Sequence, residues 1–206
     1  MLTSVIPNLP DEMARLEELG NSGFVLGFGL RFGRPYFLLN RYPQAWTELY
    51  EQQNFMLGDP VSAWALTNTG TVRWSEIREP DPRDIFAKAH RYGLKYGATM
   101  VTMQGGKRSY LSLARHDREL TDTELLILQS KIDLWATLFA KAHNSLTDTE
   151  LEVLAQLAGG LKQSDAARKL KISVSTLKTR LDSAQRKLGA ANALNAVALA
   201  IRHNLI

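Results

Sequence analysis

Residues 146–206 read LTDTELEVLAQLAGGLKQSDAARKLKISVSTLKTRLDSAQRKLGAANALNAVALAIRHNLI, and this stretch decides how the chain is to be understood. It divides into four short helical segments, each with its own start or stop signal. Thr147 stands at an N-cap with Glu150 three residues on, the spacing of a capping box, and Leu146 and Leu151 occupy the hydrophobic-staple positions. Leu151, Leu154, Leu157 and Ala158 share one apolar face, which Gly159-Gly160 closes. Ala166, Ala167 and Leu170 form the next face, with Arg168 and Lys169 outside, and Lys171-Ile172 make a turn. Ser173 then caps a third helix whose buried stripe is Leu177, Leu181, Ala184 and Leu188, stopped at Gly189. Asn192 caps a last helix carrying Val197 and Ile201.

Removing the buried stripe of the third helix leaves Ser175, Thr176, Lys178, Thr179, Arg180, Ser183 and Arg186 outside, with a single acid, Asp182. Small hydroxyls and long cations on one face suit a DNA major groove, where they reach phosphates and base edges. The same residues also suit a plain solvated face. Charge distribution favours the polyanion: residues 1–145 carry 16 basic and 16 acidic side chains, whereas residues 146–206 carry 9 and 5, so the entire net charge of +4 lies in the last segment.

The preceding residues alternate strand and helix signals. Residues 23–30 and 35–39 read as a hairpin turning at 31–34, and Tyr42 to Phe55 as a helix. Asp59-Pro60 starts another helix, with aspartate at the N-cap and proline at the first helical position. Asp84 to Tyr92 is a third, stopped at Gly93, and residues 98–103 and 109–115 flank Gly105-Gly106 as a second hairpin. The hexapeptide LTDTEL occurs at 120–125 and again at 146–151, so a capping box also opens a long helix at Thr121, running to about Ala142 with Leu125, Leu128, Ile132, Trp135 and Phe139 at helical spacing. The expected architecture is α+β: an α/β/α sandwich with a central antiparallel sheet over residues 1–142, a linker at 143–145, and an all-α four-helix helix-turn-helix domain over 146–206.

Several function classes are disfavoured. The four histidines, His90, His116, His143 and His203, lack metal-ligand spacing, and no nucleophile motif or glycine-rich phosphate loop is present, so neither an enzyme nor a metal or cofactor site is expected. The chain has no cysteine, no apolar run near the roughly 18 residues of a membrane span, and no signal-peptide pattern. A cytoplasmic protein is expected.

The residues Leu146, Thr147, Glu150, Leu154 and Gly160, followed by Ala167, Leu170, Ile172, Ser173, Ser175, Thr176, Leu177 and Lys178, closely resemble the LuxR-type helix-turn-helix. Lys162 and Lys171 depart from it, standing where a small capping residue and a turn glycine are usual. The resemblance implies a transcription regulator that binds promoter DNA as a homodimer on an inverted repeat. It makes Ser175, Thr176, Lys178, Thr179, Arg180 and Arg186 the DNA-facing candidates, with Lys178, Thr179 and Arg180 foremost. Trp46, Tyr50, Asp59, Pro60, Trp74, Gly93 and Gly97 in turn resemble, by type and spacing, the acyl-homoserine-lactone-binding domain of quorum-sensing LuxR-type receptors.

That second resemblance implies a set of roles. Trp46 would donate to the lactone carbonyl and Tyr50 to the amide carbonyl. Asp59 would accept the amide N–H, Trp74 would form a wall, and the Ser112 hydroxyl would assist, with the acyl chain between sheet and helices. The residues alone leave Trp46, Tyr50 and Trp74 open to being core aromatics, and Asp59 to being only a helix cap. A ligand-independent regulator, or an anti-activator acting through mixed dimers, is the alternative.

Overall fold

The computed structural model describes residues 6–30, 35–104, 106–142, 146–202 and 205–206. The chain separates into two compact units, residues 1–142 and 143–206. The first hairpin turn at 31–34, Gly105 and the linker at 143–145 lie outside the described residues.

The first unit is built on five antiparallel strands: β1 (Phe24–Leu30), β2 (Phe37–Asn40), β3 (Gly70–Arg73), β4 (Tyr96–Gln104) and β5 (Lys107–Arg115), in the order β2-β1-β5-β4-β3. Both expected hairpins are present, as β1–β2 and β4–β5. β3 was not anticipated from sequence. It is a four-residue edge strand, too short for its alternation to register, and it exists because Val72 turns inward while its backbone completes the ladder on β4.

Helices cover both faces. On one side α1 (Leu9–Leu19) and α5 (Asp122–Ala142) bury Leu16, Leu128, Ile132 and Trp135 against Phe24, Leu26, Met100, Leu111 and Leu113. On the other side α2 (Gln44–Gln52), α3 (Pro60–Thr67) and α4 (Ile85–His90) form a smaller core of Trp46, Phe55, Ile85, Ala89 and Leu94 against Ala114. Strand alternation explains the division. Register pairs Gly97 with Ala114, Thr99 with Ser112 and Val101 with Tyr110, so these six share the face toward α2–α4, and the apolar residues between them face α5.

Local signals set the helix ends, with some shifts from expectation. α2 is shorter than Tyr42–Phe55, because Pro43 precedes it and a separate 3-10 turn covers Phe55–Leu57. Asp59 caps α3 through the Val61 N–H at 3.0 Å, as Asp59-Pro60 implied. α4 begins at Ile85 rather than Asp84. Asp84 sits at a positive φ of 54°, and the cap comes from Asp81, whose carboxylate accepts the N–H groups of Ile85 and Phe86 at 2.8 and 3.0 Å. Glu124 closes the capping box of α5, accepting from the Thr121 N–H at 2.7 Å.

The second unit contains α6 (Asp148–Ala158), α7 (Gln163–Lys169), α8 (Val174–Leu188) and α9 (Ala193–Arg202). Thr147, Ser173 and Asn192 supply side-chain caps at the expected positions, and Gly189 ends α8 at φ 63°. Lys162 offers no side-chain cap to α7, and Lys171 adopts a left-handed φ of 54° that costs a residue with a Cβ about 1 kcal/mol. Core assignments change in α6 and α9, and Leu157, Leu170 and Leu188 are only half-buried. Val153 is fully buried while Ala158 is exposed, and in α9 Ala196 and Ala200 carry the burial while Ile201 is 53% exposed and Val197 only half-buried. The inner stripe of α9 is thus made of alanines, a pattern that hydrophobicity alone ranks below the flanking valine and isoleucine.

Candidate ligand site and nucleic-acid interface

Of the five residues expected around a ligand, Trp46 and Tyr50 lie on α2, Asp59 caps α3, Ser112 faces α2–α4 from β5, and Trp74 opens a 3-10 turn after β3. Trp46, on α2, is 5% exposed and packs its ring 5.8, 5.9 and 5.7 Å from those of Tyr50, Phe55 and Tyr92. Its indole N–H has no hydrogen-bond partner among the described residues. One turn further along α2, the Tyr50 hydroxyl donates to Asp59 Oδ2 at 2.7 Å, and Ser62 Oγ donates to the same oxygen at 2.8 Å. Asp59 Oδ1 takes the Val61 N–H. One carboxylate therefore caps α3 and ties α2 to it.

Trp74 and Ser112 meet through an intermediary absent from the expected set. The Trp74 indole N–H donates to Thr99 Oγ1 at 3.1 Å, Thr99 and Ser112 share a hydrogen bond of 2.7 Å, and the Tyr42 hydroxyl donates to Ser112 Oγ at 3.3 Å. Gly97 makes the position of Trp74 possible, since a Cβ there would lie 2.4 Å from the indole ring. Gly27 plays the same part for Tyr110, whose ring would meet a Cβ at 2.4 Å. Gly93 acts only as a helix stop, at φ 84°.

Electrostatics joins these groups into one environment. Burial raises the Asp59 carboxyl above the ordinary carboxylate range, and the hydrogen bonds from Tyr50, Ser62 and the backbone only partly offset it. Burial likewise pushes the Tyr110 phenol up to about 12 and raises Tyr42 and Tyr50, with the Asp59 charge opposing ionisation of both. The three phenols remain proton donors near neutral pH, Tyr50 bonded to Asp59 and Tyr42 to Ser112. Such a set can hold a neutral polar head group that carries both a donor and acceptors. Tyr42, Thr99 and Tyr110 were missed from sequence. Thr99 and Tyr110 lie on strands covered on both faces, where polar residues alternating with apolar ones were the only signal, and Tyr42 lies in the loop before α2 with no local signal of its own.

In the second unit, Ser173 Oγ accepts the Thr176 N–H at 3.0 Å and opens α8. Ser175, Thr176, Lys178, Thr179 and Arg186 are exposed and Arg180 is half-buried. The side chains of Lys178, Arg180 and Arg186 form no ion pair or hydrogen bond among the described residues. The hydroxyls of Ser175 and Thr176 turn toward Ser173 Oγ, each at 2.8 Å, and Thr179 Oγ1 donates to the Ser175 carbonyl. Lys187 behaves differently: its ammonium meets both carboxylate oxygens of the buried Glu150 at 2.9 Å, bonding α8 to the start of α6. Burial alone would raise the Glu150 carboxyl. The hydrogen bonds from Ser183 and Lys187, the Thr147 N–H and the Lys187 charge outweigh it and hold the group below its ordinary value. Ser183, expected on the outer face, is half-buried. Glu150 was legible only as a capping residue.

A helix pair followed by a capped helix bearing unpaired cations is the architecture of a helix-turn-helix DNA-binding protein. Residues 13–142 match the autoinducer binding domain, and residues 144–200 match the bacterial regulatory proteins of the luxR family. The chain belongs to the LuxR family of quorum-sensing transcription regulators, which are not enzymes. It is 30% identical over 224 residues to the transcriptional activator protein BjaR1 of Bradyrhizobium diazoefficiens, covering 98% of this chain and 92% of that one. It is 29% identical over 178 residues to the quorum-sensing regulator RhlR of Pseudomonas aeruginosa, covering 80% and 74%. Its fold is similar to that of Escherichia coli SdiA, with a TM-score of 0.55 at 22% identity over 96% of this chain and 90% of that one. Among the described residues no helix is long and apolar enough to cross a membrane, and no side-chain group has the composition of a metal site.

Proposed function

We propose that residues 1–142 bind an acyl-homoserine lactone and that residues 146–206, joined by a linker at 143–145, bind promoter DNA as one half of a homodimer on an inverted repeat, in the cytoplasm. The observation that carries the ligand reading is the buried Asp59 carboxylate, bonded to Tyr50 beside a Trp46 indole N–H that has no partner among the described residues. An acyl-homoserine lactone offers one amide N–H and two carbonyls at its head. Asp59 accepts the first, and Trp46 and Tyr50 donate to the lactone and amide carbonyls. Trp74 walls the site, and Ser112 with Tyr42 and Thr99 supplies hydroxyls deeper in. On DNA, Ser175, Thr176, Lys178, Thr179, Arg180 and Arg186 form the contact face.

A second reading has an observation in its favour. Tyr50, Asp59, Trp74 and Ser112 are already hydrogen-bonded within the protein, so the unit can fold without ligand and the chain can act as a ligand-independent regulator or through mixed dimers. Binding of a labelled promoter fragment, with and without short- and long-chain lactones, separates the two. Ligand-dependent binding supports the first reading, equal binding in both conditions the second, and a folded protein that binds no DNA in either overturns both.

A further inference from the structure

One ring beyond Trp46 lies an open pocket of about 450 Å³, within the range of small-molecule sites. Its apolar walls are Leu49, Phe55 and Tyr92, and its polar lining is Gln53 and three cations, Arg83, Lys88 and Arg91, with no carboxylate. Several cations elsewhere in the same unit meet acids, among them Arg15 and Lys131 on Glu12, Arg73 on Glu76 and Asp122, Arg115 on Asp117 and Arg118 on Glu124, whereas Arg41, Arg78, Lys95 and Arg108 do not among the described residues. None of the three pocket cations meets an acid among the described residues. The Arg83 guanidinium lies 4.7 Å from the centre of the Phe55 ring and donates to the Asn54 carbonyl. The Lys88 ammonium lies 5.7 Å from the same ring and donates to the Arg83 carbonyl. Arg91 is exposed and unpaired. Asp81, the carboxylate nearest in sequence that does form bonds, is engaged in capping α4.

Three like charges gathered around one opening repel each other, and an anion placed among them relieves that repulsion. Arginine and lysine are also the side chains suited to phosphate and carboxylate oxygens, arginine through a planar fork. We propose that this pocket binds a small organic anion carrying two or more negative charges, a phosphate monoester or a polycarboxylate, with its apolar body against Leu49 and Tyr92. None of the lining residues belongs to the lactone set, so the proposal stands or falls separately from that reading.

Calorimetric titration of the full chain with AMP, citrate, inorganic phosphate and adenosine tests it. AMP or citrate binds, more tightly than inorganic phosphate, with an affinity that falls as NaCl is raised, while adenosine does not bind; whichever of the two prevails identifies the phosphate or the polycarboxylate source. Arg91→Glu weakens that binding at least tenfold and Arg91→Lys largely preserves it, with Arg91→Gln as a milder variant should the charge reversal disturb folding. The proposal is overturned if neither anion binds, if adenosine or bare phosphate matches AMP and citrate, or if the Arg91 charge variants leave affinity unchanged, which would place any binding elsewhere.

Discussion

Asp59 shows two demands meeting in one side chain. As a cap it needs only one acceptor oxygen toward Val61, which asparagine would also supply. As a buried acceptor for Tyr50 and Ser62, and in the proposed site for a ligand amide, it would work through charge. Because its folded-state pKa is raised, its contribution to stability is fullest below the unfolded-state value and is lost as pH rises through the folded one. Asp59→Asn removes that dependence and the cost of a buried charge, so the melting temperature of the unliganded protein near neutral pH should change little. Lactone affinity should fall by about 1.5–3 kcal/mol, the worth of a charged hydrogen bond. Melting curves against pH, with and without lactone, check both halves, and equal shifts in the two conditions would leave Asp59 only its capping role. For DNA, Lys178→Ala or Arg180→Ala should weaken operator binding by about 1–3 kcal/mol where the residue reads a base, and an unchanged gel-shift affinity would remove it from the interface. Residues with local chemistry were the legible ones. Asp59 announces itself through Pro60, and the α8 cations through their spacing. Tyr42, Thr99 and Tyr110 were not legible, because what brings them together is the pairing of Thr99 with Ser112 and of Val101 with Tyr110 across a hairpin, information that no window of sequence contains.

Helix starts and close approaches govern the elements. At the start of α5, Glu124 closes a capping box and receives the Arg118 guanidinium, which, as the larger cause, holds its carboxyl down at about 2. A depressed carboxylate contributes stability above its unfolded value of about 4.5, and that contribution is lost as pH falls toward about 2. Glu124→Gln should therefore be less stable than the parent at neutral pH by about 0.5–1 kcal/mol, a surface-screened figure, and urea titrations at decreasing pH should show the gap closing. At the join of α6 and α8, Lys187→Ala leaves the Glu150 carboxylate buried without its cation. We expect a loss of about 2–3 kcal/mol in the helix-turn-helix unit and a weakened operator complex, with Glu150→Gln milder in both; a melting temperature unmoved by Lys187→Ala would refute the join. The repeated LTDTEL made both capping boxes readable, because a cap and its partner lie three residues apart. The Glu150–Lys187 bond spans 37 positions, so only the packed helices reveal it. Gly97 follows the same logic: it sits inside β4 because the Trp74 ring, 23 positions earlier, occupies the space a Cβ would take. Gly97→Ala should cost about 1–3 kcal/mol through displacement of that ring, visible as a change in tryptophan emission together with a lower melting temperature.

Across the whole molecule the division of charge matches the division of labour. The first 145 residues balance, and the remainder carries all of the +4, so attraction to a polyanion is concentrated in the unit that contains α8. Four short helices offer too few base contacts for one copy to select a site within a genome, and a protein with a single recognition helix gains specificity by presenting two, related by a two-fold axis. The operator should then be an inverted repeat with half-site centres about 10 base pairs apart or a multiple of that, the spacing that brings both major grooves to one side of the duplex. Footprinting should protect both halves together. Inserting about 5 base pairs between them, half a helical turn, should abolish high-affinity binding, whereas inserting about 10 should restore part of it. The slope of log affinity against log salt on the intact site should be about twice that on an isolated half-site, since each copy releases its own counterions. A protected region confined to one half, or equal slopes on the two fragments, would mean that a single copy binds, and the dimeric reading would have to be given up.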